Sequence, residues 1–244
     1  MDIREIVIDK RIDKIKNIIC IASGKGGVGK SLVASTLAIN LHNKGCKVGV
    51  LDLDLYGPSS HIILGYKNKG FPEEDKGIIP SKVHGIKFMS IVYFNEDKPS
   101  PFRGLDISNV IIELLSITQW GKLDYLIIDM PPGIGEEILD IIRLVKKCKF
   151  LIITTPSIVS INAVKKLLTI LVELKIPILG VIENMLMQNS DNIKIQITNM
   201  NLNYLGSIRY DKNLEENIGK PVKLLKTRLM EDLDIILKRI NFYN

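Results

Sequence analysis

The chain has 244 residues, 46% hydrophobic and 25% charged, which suits one large domain with a sizeable buried core. Its formal charge of +6 is spread without a dense basic block, and no apolar run reaches the length of a membrane span, so neither nucleic acid nor membrane is an expected partner. The three cysteines, Cys20, Cys46 and Cys148, lie far apart and form no disulfide framework and no CxxC pair, a usage that points to a reducing, cytoplasmic setting.

Residues 1–16 carry alternating charges without an apolar core, so they read as an N-terminal extension and not as a signal peptide. Residues 18–23 (IICIAS) predict a buried strand. Residues 31–45 predict a helix: Val33, Leu37 and Leu41 recur every four positions, and Gly45 is its stop. Further strands are predicted at 47–54, 85–94, 123–130, 149–156, 177–184 and 203–210, and further helices at 109–118 and 161–174. The stretch before 85, with Pro72, Gly77 and Pro80, reads as loop. Near the end, Leu225, Leu229, Leu233, Ile236 and Ile240 make one helical stripe within 224–244. Its polar side mixes Glu231, Asp232 and Asp234 with Lys238 and Arg239, which suits a helix docked on the domain; a membrane-targeting helix wants a basic face. Apolar strands alternating with helices predict an α/β fold, a single domain over residues 1–244 with a mostly parallel sheet and helices on both faces. Right-handed crossovers then gather the loops that follow the strands along one sheet edge, where the chemistry is expected.

Gly24 to Ser31 fits G-x-x-x-x-G-K-[ST], a phosphate-binding loop, with a strand before it and a helix after it. Its glycines let backbone N–H groups turn onto phosphate oxygens, and the helix N-terminus favours an anion. The predicted nucleotide contacts are Gly24, Lys25, Gly26, Gly27, Val28, Gly29, Lys30, Ser31 and Leu32. Lys30 is expected to neutralise the β- and γ-phosphates of ATP, and Ser31 to offer its hydroxyl to Mg²⁺. Asp129, ending the apolar run YLIID, is the expected carboxylate of the metal site, which makes the domain a P-loop NTPase. The PPGIG that follows (131–135) suits a loop that senses the γ-phosphate. Asp52 and Asp54 both end the second strand, and spacing alone does not say which of them orients the attacking water.

With those motifs in view, SGKGGVGKS (23–31) resembles the deviant Walker A loop of the NifH/MinD/ParA class of P-loop ATPases. Within that class it is most similar to the Mrp/ApbC branch of iron–sulfur cluster carrier ATPases. The likeness continues at LDLDLYGPSS (51–60), PFRG (101–104), WGKLDYLIIDMPPGIGEE (120–137), TTP (154–156), PILGVIENM (177–185) and LGSI (205–208). The resemblance implies a homodimer in which Lys25 reaches the partner subunit's nucleotide and stabilises the transferring charge in trans, as an arginine finger does. It assigns Asp54 to the water, Asn184 to the adenine edge and the segment after Ile208 to the base. Lys25, Lys30 and Asp54 are thus the expected catalytic residues, and Ser31 and Asp129 the metal residues.

The chain departs from that branch at one chemical point. Where relatives carry a CxxC pair soon after ENM, ENMLMQNSDNIKIQITNMN (183–201) has no cysteine. No iron–sulfur cluster on this chain's own cysteines is therefore expected, because a bridging cluster needs four close thiolates. The implied function is a slow, dimer- or partner-dependent ATPase in metallocluster or metal-centre assembly, working on a metal-carrying or client apo-protein. A softer likeness of 70–91 to HypB-type ATPases suggests nickel delivery in hydrogenase maturation. The alternative from another class is a MinD/ParA-like positioning ATPase acting on membrane or DNA.

Overall fold

The computed structural model describes residues 3–67, 71–95, 105–188 and 191–239. Its centre is an eight-stranded sheet in the order β3-β4-β2-β5-β1-β6-β7-β8. The strands are β1 (Ile15–Ser23), β2 (Val48–Asp52), β3 (Ser81–Val83), β4 (Ile86–Ser90), β5 (Leu123–Asp129), β6 (Cys148–Thr154), β7 (Ile178–Leu186) and β8 (Tyr204–Arg209). All neighbouring pairs are parallel except β3 with β4, which is antiparallel. Strands β1, β2, β5 and β6 are almost wholly buried, which is why they read as continuous apolar runs.

The connecting helices are α1 (Ile3–Ile12), α2 (Lys30–Asn43), α3 (Ser60–Leu64), α4 (Val92–Asn95), α5 (Leu105–Ile117), α6 (Glu136–Leu144), α7 (Ile158–Glu173), α8 (Asn192–Thr198), α9 (Pro221–Leu224) and α10 (Arg228–Arg239). The chain moves from β1 to β2 in one direction along the sheet and from β6 to β7 in the other. Right-handed crossovers therefore set α2 and α7 on opposite faces and open a crevice beyond the end of β1, the switch point of the topology. The phosphate loop lies in that crevice.

Three local outcomes differ from the sequence expectation. The N-terminal extension is a helix: α1 buries Ile8 and Ile12, four positions apart, and holds α6 through an ion pair of Glu5 with Arg143. The strand expected over 85–94 is shorter and belongs to a hairpin. His84 and Gly85 both have positive φ (48° and 87°), the geometry of a two-residue turn that pairs β3 with β4. Strand β7 runs past 184 to Leu186, and Met185 within it has φ 60°, where its pairing to β8 shifts register.

The C-terminal stripe is buried at Leu229, Leu233 and Ile236 and half-buried at Leu225, while Ile240 lies outside the described residues. Helix α10 packs on β8 and on α2, and Lys44 pairs with Asp234 across the two helices. Arg209 at the end of β8 is bound by Asp232 through Nε and Nη2, at 3.0 and 2.8 Å.

Trp120 is fully buried and packs on the bare backbone of Gly49; a methyl group there would lie 2.8 Å from Trp120 Cζ3 and from Leu123 Cδ1. Gly49→Ala should therefore cost about 1–3 kcal/mol by overpacking. Urea denaturation measures it as a lowered midpoint with an unchanged slope.

Candidate functional site

The loop from β1 into α2 is held from both sides by close packing. Gly24 lies so near α7 that a methyl group on it would sit 2.4 Å from the Ala163 carbonyl carbon. Gly29 has φ 80°, and a methyl there would sit 2.3 Å from Asn184 Nδ2. Only glycine meets both demands. Gly29 caps α2 without any side-chain bond, so the first N–H groups of this 14-residue helix keep their donors for an anion. A cavity of about 310 Å³ opens over this loop, walled by residues 25–32 together with Asp54, Ser59 and Pro132.

At its floor Lys30 and Asp129 are buried, 6% and 0% exposed, and Lys30 Nζ lies 2.5 Å from Asp129 Oδ1. The same ammonium is 3.3 Å from Ser31 Oγ. A cation thus bridges the hydroxyl and the carboxylate expected for the metal. Both are hard oxygen donors, and that donor set fits Mg²⁺.

The two aspartates after β2 separate clearly. Asp54 is half-exposed and lines the cavity, with Oδ1 accepting the Gly57 N–H at 3.0 Å. Asp52 is fully buried below it and is the register partner of Asp129 on β5. Its carboxylate accepts the backbone N–H groups of Asp54 (3.1 Å) and Ser60 (3.3 Å). Burial, reinforced by the charge of Asp129, holds the Asp52 carboxyl well above the usual range, against the pull of Lys30. Of the two, Asp54 is the one that lines the cavity.

Lys25 is half-buried in the cavity wall, and its carbonyl accepts the Ser23 hydroxyl at 2.9 Å. Its ammonium has no ion pair among the described residues, unlike that of Lys30. Asn184 is 2% exposed, and its amide nitrogen donates to the Val28 carbonyl at 2.9 Å. That bond uses one of the two amide N–H donors and leaves the second N–H and the amide oxygen. Beyond Asn184 a wider cavity of about 940 Å³ runs from Met187 past Arg209, Tyr210 and Asp211 toward the start of α10. That is where the segment after Ile208 lies. The PFRG motif (101–104) lies outside the described residues.

One residue of this floor has no counterpart in the sequence reading. Ser60 is fully buried, and its hydroxyl donates to Asp129 Oδ2 at 2.9 Å. The signal was its place in LDLDLYGPSS, but the bond itself depends on two strands meeting.

The cysteines also bring a correction. Cys20 and Cys148, far apart in sequence, lie on the neighbouring strands β1 and β6, two register positions from each other. Both are buried, and burial pushes the Cys20 thiol well up, whereas the neighbouring Cys20 thiol draws Cys148 down. Cys46 lies apart, near Asp124 and Lys16. Among the described residues no group of three or more His, Cys, Asp or Glu side chains is placed to hold a metal. The cysteines present do not fit a tetrathiolate cluster.

Comparison with known proteins shows the family of the chain. The family described as NUBPL iron-transfer P-loop NTPase (ParA) matches residues 14–240. An iron–sulfur cluster carrier protein of Methanocaldococcus jannaschii is 39% identical over 251 residues, covering 96% of this chain and 87% of that protein. One from Pseudomonas fragi is 40% identical over 174 residues, 70% of this chain, and the match spans 61% of that protein's length. A solved nucleotide-binding protein from Archaeoglobus fulgidus, in complex with ADP, superposes with a TM-score of 0.76 at 30% identity, covering 91% of this chain and 93% of that one. These relatives are named for iron–sulfur clusters or nucleotide binding, and the hydrogenase-maturation reading gains no support from them.

Proposed function

Because the chain belongs to the NUBPL iron-transfer P-loop NTPase family, we propose that it is a Mg²⁺-dependent ATPase of metallocluster assembly that hands on a cluster held by another protein. The observation that carries this reading is the floor of the crevice: Lys30 within bonding distance of both Ser31 and Asp129 under an uncapped helix N-terminus. Ser31 and Asp129 are the residues that would hold a Mg²⁺ ion, which would supply charge neutralisation for the phosphates. The chain's own residues do the rest. The loop N–H groups and Lys30 bind the triphosphate, and Asp54 orients the water. Lys25, which makes no ion pair among the described residues, acts across a homodimer on the partner's phosphates.

The cluster enters as cargo. The family name and the names of similar proteins support a role in cluster assembly, while the buried Cys20 and Cys148 and the cysteine-free 183–201 segment argue that the thiolates come from a partner or client apo-protein. Among the described residues no helix is long and apolar enough to cross a membrane, and with α10 docked on β8 and α2 a cytoplasmic, membrane-free setting fits best.

The test is cluster transfer under anaerobic conditions, from a [4Fe–4S]-loaded donor protein to an apo-acceptor whose visible absorbance reports filling. The chain with Mg²⁺-ATP should speed filling several-fold over the donor alone. Lys30→Ala protein should add nothing. Equal rates with and without ATP would remove the ATPase from the transfer step.

A further inference from the structure

Ser60 stands between two buried carboxylates. Asp52 and Asp129 end β2 and β5 in register, so their side chains share the floor of the crevice. The Ser60 hydroxyl donates to Asp129 Oδ2 at 2.9 Å, and its backbone N–H donates to Asp52 Oδ2 at 3.3 Å. The other oxygen of Asp129, Oδ1, is the one that meets Lys30. The carboxylate is therefore fixed in rotation: one oxygen is held by Ser60, and the other meets Lys30. All of these groups except Ser31 are buried, so the bond acts without competition from water.

Residue 60 also closes a loop. Asp52 accepts the N–H groups of both Asp54 and Ser60, pinning the two ends of the 54–60 turn to the end of β2. The turn carries Asp54 and Ser59, which line the cavity. A shift of this turn on nucleotide binding must move the donor that orients Asp129.

We propose that Ser60 is a positioning residue of the Mg²⁺–nucleotide site, holding Asp129 with Oδ1 toward the metal position and coupling that carboxylate to the turn that bears Asp54. Ser60 touches neither nucleotide nor reacting atoms. The inference rests on the reading of Asp129 as the metal carboxylate. Groups that orient a metal ligand typically contribute about 10–100-fold to metal affinity.

The test is binding of a fluorescent ATP analogue in EDTA and across a Mg²⁺ titration, for the parent chain, Ser60→Ala and Ser60→Cys. Cysteine keeps the side-chain size but is a weak donor, so it separates packing from hydrogen bonding. Expected are parent-like affinity in EDTA, within about 2-fold, and a Mg²⁺ midpoint raised by about 10-fold in both variants. Ser60→Cys should keep the parent's melting temperature. An unchanged Mg²⁺ midpoint in the folded variants overturns the proposal. So does an equal loss of affinity with and without Mg²⁺, or a collapse of melting temperature in Ser60→Cys, since either assigns Ser60 to general packing. A parent chain that binds no nucleotide would overturn the ATPase reading and this inference together, whereas an unshifted midpoint removes the inference alone.

Discussion

Lys30→Ala is expected to raise the Kd for Mg²⁺-ATP by at least about 100-fold, some 2.7 kcal/mol. The phosphate loop offers backbone dipoles, but among the described residues Lys30 is the full positive charge at its floor, and it is 6% exposed. A buried cation loses little of its attraction to water, so its removal costs more than that of a surface lysine. The substitution has a second consequence. Asp129 is fully buried and paired with Lys30, and removing one partner of such a pair costs about 3–5 kcal/mol of stability. A poorly folded variant would then mimic a binding defect. The double variant Lys30→Ala/Asp129→Asn removes both charges, so it should recover most of the melting temperature and still fail to bind ATP. Isothermal titration together with thermal melting separates the two effects. Tight ATP binding by a folded Lys30→Ala chain would place the nucleotide elsewhere.

Lys25→Ala should leave ATP affinity within about 3-fold and lower turnover by roughly 10³-fold, the scale of an arginine finger supplied in trans. The geometric basis is that Lys25 lines the cavity and makes no ion pair among the described residues, while Lys30 is already committed to Asp129. Asp54→Ala should be as inactive, for a different reason: it removes the carboxylate that faces the cavity. Mixed in equal amounts, the two inactive proteins should regain activity. In a mixed two-fold dimer one site has its own Asp54 and the other subunit's Lys25, while the second site has neither. Random mixing makes half the dimers mixed, so the ceiling is about a quarter of parent turnover. Activity that stays at the level of the separate variants would confine Lys25 to its own subunit.

The parts that sequence made legible are the local ones. Strand β1, the loop and α2 are contiguous, so residues 18–45 carry the whole strand–loop–helix unit in one stretch. The same holds for the apolar runs of β5 and β6, whose burial on both faces leaves an unbroken signal. What escaped depends on strands meeting in space. The Ser60–Asp129 bond and the Asp52–Asp129 pairing exist because β2 lies beside β5, and the Cys20–Cys148 contact exists because β1 lies beside β6. Spacing along the chain holds no record of those neighbours. Strand β3 has only three residues, too few for an alternating pattern to emerge, although His84-Gly85 marked the turn. Helix α1 was hidden by its charges; its signal was the pair Ile8 and Ile12 alone. Asp54 was distinguished from Asp52 by a family likeness, and the structure adds the physical difference: one side chain reaches the cavity and the other is sealed beneath it.

The central claim is that this chain works in the cluster-carrier family without cluster ligands of its own. Anaerobic reconstitution with ferrous iron and sulfide, followed by iron and sulfide counts and the visible spectrum of the desalted protein, tests it most directly. The account predicts no stoichiometric cluster, with or without Mg²⁺-ATP, because Cys20 and Cys148 are buried and Cys46 lies apart from them. A stoichiometric [4Fe–4S] spectrum that disappears in a Cys→Ser variant would contradict it.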